Sequence, residues 1–338
     1  MTAHPERLEK MYTVRPETLD SLGTCWREPG CGLRWPSLFT APFWMKAWYS
    51  HFAHVNTLSI VSVRQGELPI GIAPMLLSGE DACLIGSPDV CDYLDFIVAP
   101  GRGRDFFTVL IAHLRRVGVK RIRLEAVRED SIALSELVPL ARETGLDIIS
   151  EEDDISYEME LPESWEGFLG TLNAKQRHEV RRKLRRLEQS GVVRFRVLEK
   201  PDDVRGRFAD FLRLFRSNRK DKAAFMTDAK AAFFQALVQA AAEENALRLC
   251  FLDIDSRPVS VVLCFDYGAA RLLYNSGYDS RLSFLDVGLL CKVFSIRDSI
   301  ERGCRTYDFL KGAEIYKQRL GGRQVQLCRC TVTLDSRG

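Results

Sequence analysis

The sequence predicts an α/β protein with mixed sheets, built from two similar domains. Segments with strand spacing alternate with segments of helical spacing along the chain. One order of elements, strand-turn-strand, strand, helix, glycine and strand, also occurs twice at a separation of roughly 190 residues. The same order is common in mixed α/β proteins, so a duplication and a coincidence of pattern both remain open at this point. A duplication would divide the chain into residues 1–154 and 155–338, with the boundary near residues 153–157.

The first passage begins with a helix. PFWMKAWYSHF (42–52) has helical spacing, and LSIVSVRQGELPIGIAPMLL (58–77) reads as two strands joined by a turn at Arg64 to Glu67. The segments that follow continue the pattern, in the order CLIGS and DYLDFIV as short strands, RDFFTVLIAHLRRVG as a helix closed by Gly118, and VKRIRLEAV as a strand.

The second passage repeats this order. ALRLCFLDIDSRPVSVVLCFDY (246–267) reads as strand, turn and strand, with the turn at Asp255 to Arg257. It is followed by the strand RLLYNSGYD, the helix VGLLCKVFSIRDSIERG closed by Gly303, and the strand CRTYDFL. The order of elements, rather than residue identity, carries the prediction of two domains.

Composition indicates a folded protein without a membrane span. The chain has 338 residues, of which 46% are hydrophobic and 28% charged, enough apolar material for one large or two ordinary cores. The first twenty residues contain no apolar signal segment, and no uninterrupted apolar run reaches the ~18 residues of a membrane helix. We therefore expect a soluble, cytoplasmic protein.

The ten cysteines are predicted to be reduced and mostly structural. Several lie inside apolar stretches, among them Cys83, Cys250, Cys264 and Cys291. The close pairs, such as Cys25 and Cys31, lack the spacing of a zinc site, and the five histidines are scattered. The sequence therefore predicts no metal.

Positive charge is concentrated in one window. Residues 173–222 contain 17 Lys and Arg against 7 Asp and Glu, a net charge of +10 that leaves −8 for the remainder of a chain at +2. Such asymmetry favours one anion-facing patch over binding of a polyanion by the whole surface.

The segment NAKQRHEVRRKLRRLEQSG (173–191) is the centre of that window and is predicted to be a helix ended by Gly191. At about 100° per residue it has one apolar stripe, formed by Val180, Leu184 and Leu187. Two cationic ladders lie beside the stripe: Arg177, Arg181 and Arg185, and then His178, Arg182 and Arg186. A solvated amphipathic helix and an anion-binding helix both fit this pattern. Within the segment only Glu179 and Glu188 can pair with the seven cations, which favours an anionic ligand, and the absence of aromatic residues disfavours base stacking.

Two stretches carry a family resemblance: the basic segment at 173–191 and YDFLKGAEIYKQRLGG at 307–322. They resemble the BcsL/CelD-type acetyltransferase-like family of the GNAT superfamily and, more remotely, the Fem peptidoglycan aminoacyltransferases. The resemblance is best over 155–325, and the segments PFWMKAWYSHF and GELPIGIAPMLL are similar to the first half of the same family. The second stretch is the more specific, because its strand ends in Asp-Phe-Leu-x-Gly and is followed by Tyr-Lys and a glycine pair.

The resemblance implies tandem GNAT-like domains of mixed α/β structure and the transfer of an acyl group to an amine. The implied donor is acyl-CoA, such as acetyl-CoA, and the implied acceptor is an amine of a sugar, a peptide or a cell-envelope or polysaccharide precursor. A Fem-like enzyme using charged tRNA is a second hypothesis. A non-catalytic module that binds an anion is a third. None of the three involves DNA or a metal.

The resemblance also implies residue roles. Tyr316 and Lys317 resemble a Phe-Lys pair of Fem-type enzymes, so Lys317 is expected to stabilise charge near the acyl group. Arg177 resembles an arginine that contacts substrate phosphate, and Arg181 lies one turn further along. The remaining expected site residues are Asp308 as an orienting group, Tyr278 and Asp279 after the fourth strand, and Gly288 in the loop that binds pyrophosphate in GNAT proteins.

Each of these residues also has an ordinary structural interpretation. Lys317 can be a surface lysine, Asp308 a turn cap, and Asp279 the first residue of an Asp-initiated turn. The loop NSGYDSRLSFLDVGLL departs from the GNAT pattern Arg/Gln-x-x-Gly-x-Gly/Ala, of which it retains only Gly288 in a suitable place. No dinucleotide fingerprint, Walker motif or nucleophile elbow occurs in the sequence.

Overall fold

A computed structural model describes residues 11–53, 56–218 and 220–335, and the chain divides into two compact units. The first comprises the chain up to Asp154 and from Gln326 onward, and the second runs from Ile155 to Val325. The second domain was predicted to extend to residue 338. Strand β13 (Arg323–Thr333) instead pairs antiparallel with β6 (Arg121–Arg128) of the first unit. This return of the chain cannot be read from local spacing.

The first unit is a mixed sheet with helices. Its strands lie in the order β1-β2-β3-β4-β6-β13, with β5 on β3. Its strands are β1 (Thr13–Glu17), β2 (Thr57–Gln65), β3 (Leu68–Ser78), β4 (Asp81–Leu84), β5 (Ile97–Val98), β6, the first part of β7 (Asp147–Glu160), and the last part of β13. Its helices are α1 (Leu19–Arg27), α2 (Pro42–Phe52), α3 (Gly103–Arg116) and α4 (Val138–Glu143), with short 3₁₀ turns at Pro29–Cys31 and Leu38–Thr40 and a π turn at Ala133–Leu137.

The second unit is a mixed sheet of the same kind. Its strand order is β7-β12-β11-β10-β9-β8. The strands are β8 (Val193–Leu198), β9 (Leu247–Ile254), β10 (Arg257–Tyr267), β11 (Ala270–Tyr278) and β12 (Thr306–Lys311). The helices are α5 (Trp165–Thr171), α6 (Ala174–Glu188), α7 (Pro201–Arg205), α8 (Phe208–Asn218), α9 (Lys220–Phe225), α10 (Asp228–Glu243), α11 (Val287–Glu301) and α12 (Ile315–Arg319), with a 3₁₀ turn at Ser280–Leu285.

The predicted repetition of elements is present in the fold. In the first unit an antiparallel pair, β2 and β3, is followed by β4, α3 and β6, and β4 is parallel to β6. In the second unit β9 and β10 are followed by β11, α11 and β12, and β11 is parallel to β12. The mixed α/β fold class with two similar halves is thereby confirmed.

Helix α11 supplies much of the core of the second unit. Apolar side chains line nearly its whole length, and Leu290, Cys291 and Ile296 are fully buried against the sheet. Each such side chain removed from water contributes about 1.5–3 kcal/mol, so the position of this helix on β9 to β11 is strongly fixed. The N-terminus of α11 is therefore held at the ends of those strands.

Two local predictions for the first unit are wrong. Cys25 and Cys31 form a disulfide bond rather than remaining reduced. DYLDFIV is a strand only at Ile97–Val98. Before these residues the Asp95 carboxylate accepts hydrogen bonds from the backbone N–H groups of Phe96, Ile132 and Ala133, which holds the chain in an irregular path. Over the described ranges, no helix has the length and apolarity needed to cross a membrane.

Gly277 marks a close approach of two backbones in the second unit. A Cβ at this position would lie 2.4 Å from the Phe215 nitrogen and 2.6 Å from the Leu214 oxygen, both in the backbone of α8. Backbone atoms cannot rotate away, so we expect Gly277→Ala to lower the free energy of unfolding by about 1–3 kcal/mol or more, measured by urea denaturation. Gly170→Ala is the matched control, because no atom lies within 4 Å of that Cβ. Equal stability of the two variants would contradict the close packing of α8 on β11.

Candidate functional site

The candidate site lies where β11 and β12 separate. The two parallel strands pair over Ala270–Leu272 and Thr306–Asp308. Beyond these residues β11 continues to Tyr278 in register with β10, while β12 continues to Lys311 in register with β7. The separation forms a fork, which we define as residues 273–278 of β11 and 309–311 of β12. It leaves one backbone edge of β11 without β12 as its partner.

Asp308 and Leu310 shape the β12 side of the fork. The strand has a register shift between these residues, and Leu310 adopts a positive φ of 58°. The buried Asp308 carboxylate accepts a hydrogen bond from the Leu310 backbone N–H at 2.7 Å. This bond supports a backbone conformation that is unfavourable for a branched residue. The structure thus places Asp308 at the bulge, as a support of the turn that follows.

Lys317 lies at the centre of that turn and is 2% exposed. Its ammonium donates hydrogen bonds to the carbonyl oxygens of Leu310, Lys311 and Gly312 at 3.0, 2.6 and 3.0 Å. It also forms an ion pair with the Glu314 carboxylate at 3.0 Å. An ammonium has three protons, so these acceptors use its entire hydrogen-bonding capacity. Lys317 is a buried tie between α12 and the end of β12 rather than a surface lysine.

Three residues expected in the site lie together at the fork. The Tyr278 ring packs on Gly288 so closely that a Cβ there would be 2.5 Å from the Tyr278 Cδ1 atom. Gly288 is in the first turn of α11, and the Tyr316 ring lies on the neighbouring α12. Burial raises the pKa of Tyr316 well above its usual range, which keeps this phenol protonated. The close packing of Tyr278 explains the glycine at position 288.

Lys292 joins these residues and was missed in the sequence analysis. It lies one turn after Gly288 and is 7% exposed. Its Nζ atom donates to the Gly288 carbonyl oxygen at 3.0 Å and lies 4.9 Å from the centre of the Tyr316 ring. Burial lowers the pKa of Lys292 to about 8, because the buried ammonium loses its hydration. A single charge inside the apolar run VGLLCKVFSI was the signal that could have revealed it.

Glu314 and Lys222 complete the charged groups near the fork. Glu314 is half-exposed at the N-terminal cap of α12. Burial acts to raise its pKa, but the positive charges of Lys317 and Lys222 prevail and hold the pKa of Glu314 below its usual range. The Lys222 ammonium, carried by α9, donates to the Ser276 carbonyl oxygen of β11 at 2.6 Å. Lys222 is about ninety residues from Glu314 in the sequence, so only the fold brings them together.

The N-terminus of α11 carries an acidic residue. Asp286 is the N-cap, with a left-handed backbone conformation and no side-chain cap bond. Its carboxylate forms an ion pair at 2.7 Å with Lys183, which reaches it from α6. The unpaired backbone N–H groups and the dipole at a helix N-terminus attract anions. A carboxylate at this position repels a phosphate that would bind to the same N–H groups. Lys183, rather than Arg177 or Arg181, is the residue of α6 that reaches this end of α11.

Asp279 turns toward its own loop. Its carboxylate accepts a backbone hydrogen bond from Arg281 at 3.1 Å and binds the Arg281 guanidinium at 2.7 Å. These hydrogen bonds from Arg281 lower the pKa of Asp279. The residue therefore begins the 3₁₀ turn at Ser280–Leu285, as in the structural alternative considered for it.

Arg177 and Arg181 face α5. The Arg177 guanidinium lies 3.4 Å from the carbonyl oxygens of Leu169 and Leu172, at the end of that helix. Arg181 forms an exposed ion pair with Glu166 at 2.9 Å. The expectation that the basic helix has only its own two glutamates for pairing is therefore wrong. Tertiary contacts supply Glu166 and Asp286, which sequence spacing cannot show.

Comparison with known families places part of the chain in a described group. Residues 174–318, which include α6, the fork and all but the last residue of α12, match the family described as acetyltransferase (GNAT) domain. No curated protein sequence matches the chain. Over these residues the second unit is similar to a GNAT acetyltransferase domain.

Solved structures share the fold over most of the chain at low identity. FemX has a TM-score of 0.65 at 10% identity, with 94% of this chain and 96% of that chain covered. The tandem GNAT protein from the clavulanic acid biosynthesis pathway has a TM-score of 0.50 at 11% identity, with 97% and 100% covered. The C-terminal domain of a putative lysylphosphatidylglycerol synthetase from Agrobacterium fabrum has a TM-score of 0.53 at 10% identity, with 78% and 81% covered. At these identities the likeness concerns the fold alone.

Proposed function

We propose, from the GNAT domain in residues 174–318, that this protein is an N-acyltransferase whose second unit moves an acyl group from acyl-CoA to an amine. The acceptor is proposed to be an amine of a sugar, a peptide or a cell-envelope or polysaccharide precursor. The observation that carries the proposal is the fork between β11 and β12, with Lys317, Lys292 and Lys222 gathered around it. The narrower BcsL/CelD-type relationship stays a prediction.

The fork suits an extended donor that contains amide groups. Residues 273–278 of β11 present a backbone edge where β12 has separated. Such an edge can pair with an extended chain as a further strand would, and the pantetheine arm of CoA carries two amides. The acyl thioester would then lie at the open end of the fork, between Tyr278 and the turn held by Lys317. This placement assigns a role to the bulge at Asp308, which bends β12 away from β11.

The chemistry requires a neutral amine, a positioned thioester and stabilisation of negative charge on the carbonyl oxygen. Positive charge at the turn of residues 310–314 is fixed by the four contacts of Lys317. We propose that this fixed charge lowers the energy of the oxyanion through its field, since its own protons are already donated. Tyr278 is proposed to position the acyl group at the end of β11.

A second function is favoured by one observation. Asp286 places a carboxylate at the N-terminus of α11, where the pyrophosphate of CoA would bind. An aminoacyl-tRNA donor does not need that contact, and the basic helix α6 offers an alternative surface for phosphates. The Fem-like reaction, transfer of an aminoacyl group from charged tRNA, is therefore the second candidate.

Titration with acetyl-CoA tests the donor. We expect saturable binding of one molecule per chain by calorimetry, unaffected by added RNA. Binding of charged tRNA in a filter assay, without binding of acetyl-CoA, would instead support the Fem-like reaction. Binding of neither would overturn both candidates and favour a non-catalytic module.

The Asp286→Asn variant refines this test. Removing the carboxylate relieves its repulsion of phosphate and releases Lys183, so we expect acetyl-CoA to bind roughly 2–5-fold more tightly, from about 0.3–1 kcal/mol at a helix terminus. Asp203→Asn is the control, because Asp203 is exposed in α7. Weaker or unchanged binding in the Asp286 variant would show that the donor phosphates lie elsewhere.

A further inference from the structure

The fork contains two buried lysines with opposite chemical surroundings. Lys317 is surrounded by three carbonyl oxygens and the Glu314 carboxylate. Lys292 has one hydrogen-bond acceptor, the Gly288 carbonyl oxygen, and forms no ion pair with any residue that the structure describes. A buried amine with so few partners has protons, or a lone pair, that remain available to a ligand. In this arrangement Lys317 stays charged, whereas the neighbouring Lys292 can exchange a proton with a ligand.

The charged and titratable groups around Lys292 come from several elements. Cys291 precedes it on α11, Cys264 faces it from β10, and Glu314, Tyr316 and Lys317 face it from α12 and the turn before that helix. Burial is the main cause that destabilises its positive form, and the Lys317 charge acts in the same direction. Glu314, which would oppose this effect, is engaged by Lys317. These surroundings leave the Lys292 amine partly neutral near physiological pH.

We propose that Lys292 is the general base of the transfer reaction, accepting a proton from the ammonium form of the acceptor. The location supports this role, because Lys292 joins Gly288, against which Tyr278 packs, to Tyr316 at the fork. The inference rests on the proposed acyltransferase function and assigns a step within it. Lys317 cannot take this role, since its protons are donated to carbonyl oxygens and it has no free lone pair.

The three protons of the acceptor ammonium have different destinations in this step. Neutral Lys292 takes one proton from the acceptor ammonium, which leaves a neutral amine. The amine nitrogen attacks the acyl carbon, the new C–N bond forms, and the C–S bond breaks with its electron pair on sulfur. A second proton from the nitrogen converts the departing thiolate to a thiol, and the amide keeps the third. Lys292 then releases its proton to water, so no oxidant or other reactant is needed.

The first measurement needs no substrate. The side-chain resonances of isotopically labelled lysines are followed by NMR as the pH is raised, and the Lys292 signal is identified by its loss in Lys292→Arg. We expect its midpoint near pH 8, because the pKa of Lys292 is lowered to about 8 by burial. A midpoint at or above the usual lysine value of about 10.4 would overturn the proposal.

The second measurement uses turnover, with acetyl-CoA as donor and a panel of glucosamine and lysine-containing peptides as acceptors. Because the neutral amine is the active form, kcat/KM of the wild type should rise as the pH passes through about 8. Lys292→Met should lose about 10²–10⁴-fold in kcat and lose this pH step. Lys200→Met, at an exposed position, should retain both. Unaltered turnover and pH profile in Lys292→Met would overturn the role of Lys292 alone, whereas absence of thiol release by the wild type would overturn the donor proposal and this role with it.

Chemical rescue separates catalysis from folding. In Lys292→Ala, added ethylamine should restore part of the rate, with a larger effect at pH values where ethylamine is neutral. A structural role for Lys292 predicts no rescue by a small amine. If Lys292→Ala has the wild-type circular dichroism spectrum and turns over slowly without rescue, the general-base role is rejected in favour of a positioning role.

Discussion

Replacing Lys317 with methionine is expected to destabilise the second unit and to slow transfer. The substitution leaves the carbonyl oxygens of Leu310, Lys311 and Gly312 without their donor and leaves Glu314 without its ion-pair partner. Leaving buried acceptors without their donor costs about 1–3 kcal/mol or more, because these carbonyl oxygens are desolvated without compensation, while the half-exposed Glu314 adds little. Urea denaturation measures this loss, and acetyl-CoA turnover should fall by at least ~10²-fold, from the removal of oxyanion stabilisation.

The control for Lys317 lies on the same short helix. Arg319→Met removes a cation two residues away that is exposed on α12. We expect a change in stability within about 0.5 kcal/mol, as for most surface substitutions. If Lys317→Met retained both the stability and the turnover of Arg319→Met, the turn at residues 310–314 would not depend on its buried ammonium. Loss of stability with normal turnover would remove Lys317 from the mechanism and leave it a structural role.

The overall fold could be predicted from the sequence because the local spacing of hydrophobic residues indicates most helices and strands. The helix at 42–52, the strand pairs and the apolar helix of α11 follow from the positions of their hydrophobic residues, and the repeated order revealed two similar halves. Two of the failures have non-local causes. The irregular path before Ile97 depends on hydrogen bonds to Asp95 from residues more than thirty positions away. The last strand returns to the first unit through pairing with β6, which no local pattern encodes.

The candidate site was only partly accessible for the same reason. The motif around Tyr316 and Lys317 could be recognised from the residue types alone. The four acceptors around the Lys317 ammonium, however, are brought together by the geometry of the turn. Arg177 and Arg181 stood out because they belong to a dense run of cations. In the structure, however, Arg177 contacts the Leu169 carbonyl oxygen of α5, and Arg181 pairs with Glu166 of the same helix. Lys292 and Lys183 were overlooked because one lies in an apolar run and the other in a dense cationic cluster. In both cases the informative property is the number of partners around the charge, which only tertiary structure shows.

Arg271 links the closed end of the fork to the helix above it. It lies in the stretch of β11 that still pairs with β12, and its side chain is fully buried. The guanidinium binds the Asp266 carboxylate through two nitrogens and the Asp298 carboxylate of α11 at 2.9 Å. The same acids contact Arg248 and Arg302, which line an adjacent groove of about 530 Å³. Glu199 also contacts Arg248 and Arg302, so three carboxylates and three guanidinium groups meet at this junction, while the other ends of the two strands separate.

Arg271→Leu is expected to lower the free energy of unfolding by about 3–5 kcal/mol, because two carboxylates lose a shared buried partner. The matched control is Arg297→Leu on α11, which breaks an ion pair with Glu301 at 2.9 Å whose side chains are 51% and 59% exposed. Exposed pairs of this kind contribute about 0.2–1 kcal/mol. The loss of unfolding free energy, measured by urea denaturation, should therefore be several times larger for Arg271→Leu than for Arg297→Leu. Similar losses would show that burial does not determine the strength of the Arg271 network. If the junction also sets where β11 and β12 separate, Arg271→Leu should weaken acetyl-CoA binding, although the Arg271 side chain does not line the proposed donor site. Binding is measured without denaturant, at a temperature where the variant is still folded.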